Sequence, residues 1–189
     1  MKFDHYICPF TKSKLNLNSS KKYLSNKNKK KFYINHKTVN FLNSKKLNID
    51  EKNIKKGYDL FAHNYDKWIT WMFKSFKENE KKVRNGIIKN LKIKKNYRIL
   101  EIGCGTGRDT IFLEKKINSK GKLFIQDISE KMINICNKKF NSNKKIFPFI
   151  SNSDELPFED NYFDVIYNFG SFNEFSDPKK VCLEFDRIL

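Results

Sequence analysis

Three glycines at alternate positions, Gly103, Gly105 and Gly107, follow an apolar run and precede a helical pattern. Glycine tolerates positive φ and lets the backbone lie directly against a ligand. Such a turn between a strand and a helix is typical of a site for a nucleotide-like cofactor. The third glycine comes one position earlier than in the dinucleotide fingerprint G-x-G-x-x-G, and Arg108 stands where that fingerprint needs glycine. The turn therefore argues against NAD and FAD.

Two carboxylates accompany this glycine turn. Glu101 ends the predicted strand before it and suits a cationic or hydroxyl-bearing ligand better than a phosphate. Asp127 ends the next predicted strand, 20 positions after Gly107. An acid at that place can accept hydrogen bonds from both hydroxyls of a ribose. The alternative is that Asp127 only helps to cap the helix that follows Ser129.

Strands and helices alternate in the part of the chain that must position these residues. The pattern predicts strands at 97–102, 122–127, 145–150 and 162–168, and helices at about 106–117, 130–140 and 178–189. Alternation with short connections predicts an α/β fold, a Rossmann-like doubly wound parallel sheet that is incomplete, with about four strands. Near-continuous apolar strands indicate a sheet that is covered on both faces.

The preceding residues divide into two further units. Residues 1–48 predict a small β-rich module, with a short strand at 6–9 and two strands at 32–34 and 38–42. The second unit covers residues 49–95. A polar and charged stretch at 48–56 predicts a linker, and the apolar side chains at three- and four-residue spacing after it predict helices. The core of the predicted fold occupies residues 96–189.

The charge of the chain is strongly positive, with 39 basic and 21 acidic residues and a formal net charge of +18. Almost all basic residues are lysines, whereas planar recognition of phosphates and bases favours arginine. We interpret the lysines as a solvated surface, in a composition typical of AT-rich coding sequence, which argues against a nucleic-acid partner. An interaction or RNA-binding protein that uses residues 1–48 and the basic surface is the alternative.

The four cysteines, Cys8, Cys104, Cys136 and Cys182, form no Cys-x-x-Cys pair. This spacing predicts unpaired thiols in a reducing compartment and no metal site. Residues 1–5 lack the apolar stretch of a signal peptide, and no apolar run has the length of a membrane span. These features predict a cytoplasmic protein, and the sequence leaves its oligomeric state open.

Four segments together resemble the class I S-adenosylmethionine-dependent methyltransferases, over residues 57–189. They are the glycine motif at 100–107, the segments 126–132 and 152–166, and the helix end at 185–189. The resemblance implies S-adenosylmethionine as cofactor and a set of residues that bind it. The set is Glu101, Gly103, Cys104, Gly105, Gly107, Asp127, Ile128, Asn152, Ser153 and Asn168.

Two segments are similar to the C-methyltransferases of quinone biosynthesis, namely residues 61–66 and residues 169–173, the latter with Phe172 in place of arginine. They imply a small-molecule methyl acceptor such as a quinone precursor or another metabolite. Because the methyl donor is already activated, no obligatory catalytic residue follows from the motifs. His63, Tyr65 and Glu174 are candidates for removing a proton from the acceptor, with a structural or positioning role as the alternative for each.

Residues 3–43 resemble a small zinc-ribbon-like β module that is fused to bacterial methyltransferases or serves as their activator subunit. Thr11 replaces one zinc-ligating cysteine of that module and the later cysteine pair is missing, so we expect no zinc. The methyltransferase family usually has seven strands in its sheet. We therefore expect a truncated gene product or a fragment, with an exposed edge at the strand 162–168.

Overall fold

The computed structural model describes residues 3–189 and contains one sheet in the order β1-β2-β3-β4-β7-β6-β5-β8. Met1 and Lys2, part of the stretch that argued against a signal peptide, lie outside the described residues. The strands are β1 (Asn16–Leu17), β2 (Tyr23–Ser25), β3 (Lys31–Asn35), β4 (Thr38–Asn40), β5 (Arg98–Ile102), β6 (Lys122–Asp127), β7 (Ile146–Ile150) and β8 (Val165–Asn168). The helices are α1 (Ile49–Ser75), α2 (Glu80–Asn90), α3 (Thr110–Glu114), α4 (Glu130–Lys139) and α5 (Pro178–Ile188), with a 3-10 turn at Phe172–Glu174.

The predicted doubly wound parallel sheet is confirmed. Strands β5, β6 and β7 lie side by side in parallel, and β8 returns to pair with the opposite side of β5. The chain therefore reverses its direction across the sheet at β5, and ligands of such folds bind at that switch point. The glycine turn begins at Gly103, directly after β5, so it lies at the switch point.

The N-terminal strands continue this sheet rather than forming a sheet of their own. Strand β4 pairs in parallel with β7, with Val39 opposite Phe149, and β3, β2 and β1 follow in antiparallel order. The sheet thus has five parallel strands where the sequence predicted about four. Residues 6–9 are not a strand, because Ile7 makes only one isolated bridge, to Lys14.

Aromatic side chains from both parts share one core. Tyr6 packs against Phe41 with ring centroids 5.1 Å apart, and Phe41 packs against Phe149 of β7 at 6.3 Å. All three side chains are buried. Since a module of about 45 residues has little core of its own, this shared aromatic cluster stabilises both parts. The boundaries at residues 48 and 95 stay predictions.

Helix α1 begins at Ile49, so the predicted linker over 48–56 is wrong. Asn48 Oδ1 accepts a hydrogen bond from Glu51 N, and Glu51 Oε2 accepts one from Asn48 N, both at 2.9 Å. This capping box satisfies two backbone donors of the first turn and starts the helix within a polar stretch. The helix then runs for 27 residues.

Two other predicted boundaries need correction. The helix expected over 106–117 is only α3, because the positive φ of Gly107 and the buried ion pair between Arg84 and Asp109 hold residues 103–109 in a turn. The strand expected over 162–168 begins at Val165, because Phe163 bonds through its N–H to the end of α5. None of the helices within residues 3–189 combines the length and the hydropathy needed to cross a bilayer.

Candidate cofactor site

A cleft opens at the carboxyl ends of β5 and β6, beneath helix α1, and has about 810 Å³ of empty space when its open mouth is included. Its floor is the glycine turn and the residues after β6, and its walls are the loop after β7, the segment 169–177 and the inner face of α1. The cleft therefore lies at the switch point of the sheet, where the sequence predicted the cofactor.

The glycines of the turn have different roles. All three have positive φ, but only Gly103 and Gly105 line the cleft. A Cβ on Gly105 would lie 3.6 Å from the Tyr65 ring and would narrow the space above the turn. A Cβ on Gly107 would lie 2.6 Å from Cys136 Sγ, so this glycine is required for α4 to pack on the turn.

Asp127 connects the two turns that form the floor. Its Oδ2 accepts a hydrogen bond from Gly105 N and its Oδ1 accepts one from Ser129 N, each at 2.8 Å. Burial raises the pKa of this carboxyl to about 6, although the two backbone hydrogen bonds oppose the shift. Each oxygen keeps a lone pair for a ligand hydroxyl. The cap of α4 is Ser129, whose Oγ accepts from Met132 N at 3.2 Å, so capping alone does not account for Asp127.

Three further predicted residues, Ile128, Asn152 and Ser153, line the cleft next to Asp127. The Asn152 amide Nδ2 donates to Glu51 Oε1 at 2.7 Å, and its Oδ1 accepts from Ser153 N at 2.9 Å. These bonds fix the loop after β7 against the first turn of α1. Six of the ten predicted cofactor residues therefore converge on one cleft.

The other four lie behind the cleft surface. Glu101 is buried beneath the turn, where its Oε2 accepts from Thr110 Oγ1 at 2.7 Å and burial raises its pKa well above the usual range. Cys104 packs in the apolar core and Gly107 against α4. Asn168 Nδ2 donates to Ile102 O at 3.0 Å and to Ser171 Oγ at 2.6 Å. These residues position the turn and the wall rather than line the cleft.

Of the candidates for removing a proton, Tyr65 and Glu174 line the cleft, whereas His63 lies on the exposed side of α1. Burial raises the pKa of Tyr65 to about 12, so its hydroxyl is protonated at neutral pH and donates hydrogen bonds. Glu174 Oε1 accepts a short hydrogen bond from Tyr58 Oη. This contact joins α1 to the 3-10 turn across the mouth of the cleft.

Sequence reasoning missed Glu51 and Tyr58, because it assigned the first to a linker and the second to helix packing. Both signals were present. Asn48 and Glu51 have the spacing of a capping box, which starts the helix early enough to place Glu51 in the cleft. Tyr58 precedes Tyr65 by seven residues, so the two rings share one face of α1, with centroids 6.2 Å apart.

Arg108 stands where a dinucleotide site has its third glycine, but its side chain does not fill the cleft. Its guanidinium points away from the cleft and pairs with Glu80 and with Asp66, whose Oδ1 lies 3.0 Å from Nη1. Thr106 Oγ1 donates to the same Asp66 oxygen at 2.5 Å. These contacts fasten α1 and α2 to the glycine turn and leave its inner surface open.

The charge of the cleft is opposite to that of the whole chain. No lysine, arginine or histidine is among the residues that line it within the described chain. Five carboxylates are, namely Glu51, Asp127, Asp154, Glu174 and Asp177. Carboxylates favour a cation with hydroxyl groups and disfavour the pyrophosphate of a dinucleotide. The residues present therefore fit a sulfonium nucleoside.

Residues 99–189 match the family model of a methyltransferase domain. With the switch-point cleft, this match makes residues 99–189 similar to the domain of class I S-adenosylmethionine-dependent methyltransferases. The chain is 44% identical over 89 residues to the ubiquinone/menaquinone biosynthesis C-methyltransferase UbiE of Wigglesworthia glossinidia brevipalpis, covering 45% of this chain and 35% of that protein. It is 31% identical over 141 residues to the demethylmenaquinone methyltransferase of Staphylococcus carnosus, covering 74% of this chain and 57% of that protein.

Among solved structures, the chain resembles a S-adenosylmethionine-dependent methyltransferase from Aquifex aeolicus. The TM-score is 0.54 at 27% identity, over 58% of this chain and 62% of that one. The chain thus spans between about a third and three fifths of the length of these relatives.

Proposed function

We propose that this chain binds S-adenosylmethionine in the cleft at the switch point and takes part in methyl transfer to a small molecule, a quinone precursor. The names of the two curated relatives support this acceptor class. The observation that carries the proposal is the acidic cleft itself. In a chain of net charge +18, the described residues that line the cleft include five carboxylates and no basic side chain.

The cleft residues would hold the cofactor by different parts. Asp127 would accept hydrogen bonds from the ribose hydroxyls, and Gly103 and Gly105 would let the backbone approach the methionine part. Ile128, Asn152 and Ser153 would lie beside the adenine, because they follow β6 and β7 on the far side of Asp127. When bound, the cofactor supplies an activated methyl group on a sulfonium.

The chain would contribute mainly alignment and exclusion of water. Part of the cleft wall is aromatic and suits a planar ring; it consists of Tyr58, Tyr65, Phe169 and Phe175. Among the candidate bases, Glu174 lines this wall and Tyr65 is held protonated by burial, so a proton lost from the acceptor would go to Glu174 or to water. A residence in the cytoplasm stays a prediction.

Transfer of a labelled methyl group from S-adenosylmethionine to a demethylated menaquinone in detergent tests the proposal. We expect labelled product with the unaltered chain and loss of it with Asp127→Ala, while Glu159→Gln, an exposed acid outside the cleft, retains activity. Cofactor binding measured in parallel separates the steps. Cofactor binding without labelled product would overturn the proposed acceptor. Absence of cofactor binding would overturn the assignment of the cleft as the cofactor site.

The alternative of an RNA-binding protein that uses the basic surface is not favoured, since neither the family match nor the acidic cleft supports it.

A further inference from the structure

The outer face of α1 carries large apolar side chains that no other element within residues 3–189 covers. Leu60 is 70% exposed, Trp68 45%, Trp71 63% and Phe76 74%. Trp68 and Trp71 are three residues apart and Leu60 lies about two turns earlier, so the three side chains share one side of the helix. We define the outer face as Leu60, Phe61, Trp68 and Trp71, together with Phe76 at the C-cap of the helix. An uncovered apolar stripe of this kind marks an interaction surface.

Most of the exposed charges beside this stripe are positive, and two exposed acids, Asp50 and Glu78, flank it at its ends. The exposed charged residues from 51 to 77 are Lys52, Lys56, Lys67, Lys74 and Lys77. Two acids within the helix are paired with other residues: Asp59 pairs with Lys55 and Ser129, and Asp66 pairs with Arg108 and Lys139. The outer face is therefore apolar with a surplus of positive charge, since residues 50–78 include five exposed lysines and two exposed acids.

We propose that the outer face of α1 docks on an anionic phospholipid bilayer. A helix that lies in the bilayer interface combines tryptophan, phenylalanine and leucine on one side with flanking lysines. Tryptophan favours the depth of the lipid headgroups, and lysine stems let the ammonium groups meet the lipid phosphates. A nucleic acid or an acidic protein would use the lysines but would leave the exposed Leu60 and Trp71 without an apolar phase.

The outer face is continuous with the mouth of the cleft. Phe61 contacts both Trp68 and Tyr65, with centroid distances of 6.0 Å and 6.4 Å, and Tyr65 lines the cleft. A bilayer against the outer face would thus lie next to the cleft mouth. In that position an apolar acceptor could enter without crossing water, a consequence that rests on the proposed function, whereas docking itself does not.

The two tryptophans of the chain, Trp68 and Trp71, both lie on this face and report its contact with lipid directly. The test adds vesicles of phosphatidylcholine with about one third phosphatidylserine to the chain and records tryptophan emission and co-sedimentation. We expect a blue shift and binding that weakens as salt is added, and little binding to phosphatidylcholine alone.

Matched charge variants then locate the surface. Lys67→Glu with Lys74→Glu should weaken vesicle binding at least about tenfold, whereas Lys120→Glu with Lys144→Glu, two exposed lysines at the other end of β6, should not. Leu60→Ser with Trp71→Ser should reduce the blue shift of Trp68. Near-identical far-ultraviolet circular dichroism of the variants shows that they fold.

Several results would overturn the proposal. They are emission unchanged by anionic vesicles, equal losses in both lysine pairs, and binding of RNA but not of vesicles through Lys67 and Lys74. A blue shift that grows with protein concentration in the absence of lipid would assign the face to a second copy of the chain instead. Because vesicle binding needs no cofactor, none of these results bears on the cleft.

Discussion

The two faces of helix α1 have opposite chemistry. The inner face contributes Glu51, Tyr58 and Tyr65 to an acidic cleft, and the outer face presents tryptophans and lysines to solvent. The residues of the two faces alternate along the same helix, because every third or fourth residue returns to the same side. A single helix can therefore serve a cationic cofactor on one side and an anionic surface on the other.

The comparison also explains why net charge misleads in this chain. The formal net charge of +18 is a sum over the whole chain, whereas the residues that line the cleft are acidic. Two acids of α1 have specific partners from elsewhere in the chain, Asn152 for Glu51 and Arg108 for Asp66. Function in the cleft follows the local charge, and association with large partners follows the surface charge.

The largest effect should come from Asp127→Ala, which removes the acid of the inner face. Loss of two hydrogen bonds to a charged acceptor should weaken binding of S-adenosylhomocysteine by about a hundredfold or more. Isothermal titration calorimetry measures this, with Glu159→Gln as the control. Unchanged affinity in Asp127→Ala would show that the cleft holds its ligand by other groups.

Arg108→Ala should loosen α1 from the glycine turn. The side chain is 18% exposed and pairs with Glu80 and Asp66, so we expect a loss of about 2 kcal/mol in the free energy of unfolding. Urea denaturation measures the change. The more exposed pair of Lys46 with Glu155 provides the control, since Lys46→Ala should cost about 0.5 kcal/mol. Equal costs would mean that Arg108 does not fasten the helix.

Cofactor affinity should depend on pH through Asp127. Ribose hydroxyls require the ionised carboxylate, whose pKa is about 6 in the folded chain, so affinity should be flat above pH 7. Below pH 6 it should fall by up to about tenfold per pH unit. Calorimetry from pH 5 to pH 8 checks this, and Asp127→Asn should show a weak affinity without that slope.

The same shift has a consequence for stability with the opposite sign. The folded pKa of Asp127 is raised from 3.8 to about 6, so the folded state binds this proton more tightly. Its contribution to stability should decrease as pH rises from about 4 to 6 and remain constant above. Asp127→Asn should remove that decrease in urea denaturation curves. If the stability of the unaltered chain changed with pH in the same way as that of Asp127→Asn between pH 4 and 6, the raised pKa of Asp127 would be refuted.

The smallest effect should come from Tyr58→Phe, which keeps the ring and removes the hydroxyl bonded to Glu174. Loss of one hydrogen bond across the cleft mouth should weaken S-adenosylhomocysteine binding by about fivefold. Tyr33→Phe, an exposed tyrosine on β3, is the matched control. A loss as large as that of Asp127→Ala would mean that the mouth, not the floor, dominates binding.

Local signals in the sequence predicted the central elements well. The apolar run and Ser129 placed β6 and α4 within one residue, because strand burial and capping are set by neighbouring residues. The signals failed where distant contacts decide. The pairing of β4 with β7 joins residues more than a hundred positions apart, and nothing in residues 38–40 indicates that partner.

The sequence predicted where the site residues lie in the fold better than it predicted which side of the glycine turn each side chain faces. Motif spacing assigned Gly103, Gly105 and Asp127 to the ligand, and all three line one cleft, but it also assigned Gly107 and Glu101, which do not line it. Gly107 instead admits Cys136 of α4, and Glu101 bonds to Thr110 below the turn. Which side of a turn a residue faces depends on helices that pack from elsewhere in the chain.

The inner face of α1 and the glycine turn form an acidic cleft that suits a cationic nucleoside. Calorimetric titration of the full chain with S-adenosylmethionine and, separately, with NADH tests it most directly. We predict binding of one S-adenosylmethionine per chain and no heat of binding with NADH. Binding of NADH at the same site, competitive with S-adenosylmethionine or in its absence, would contradict the account.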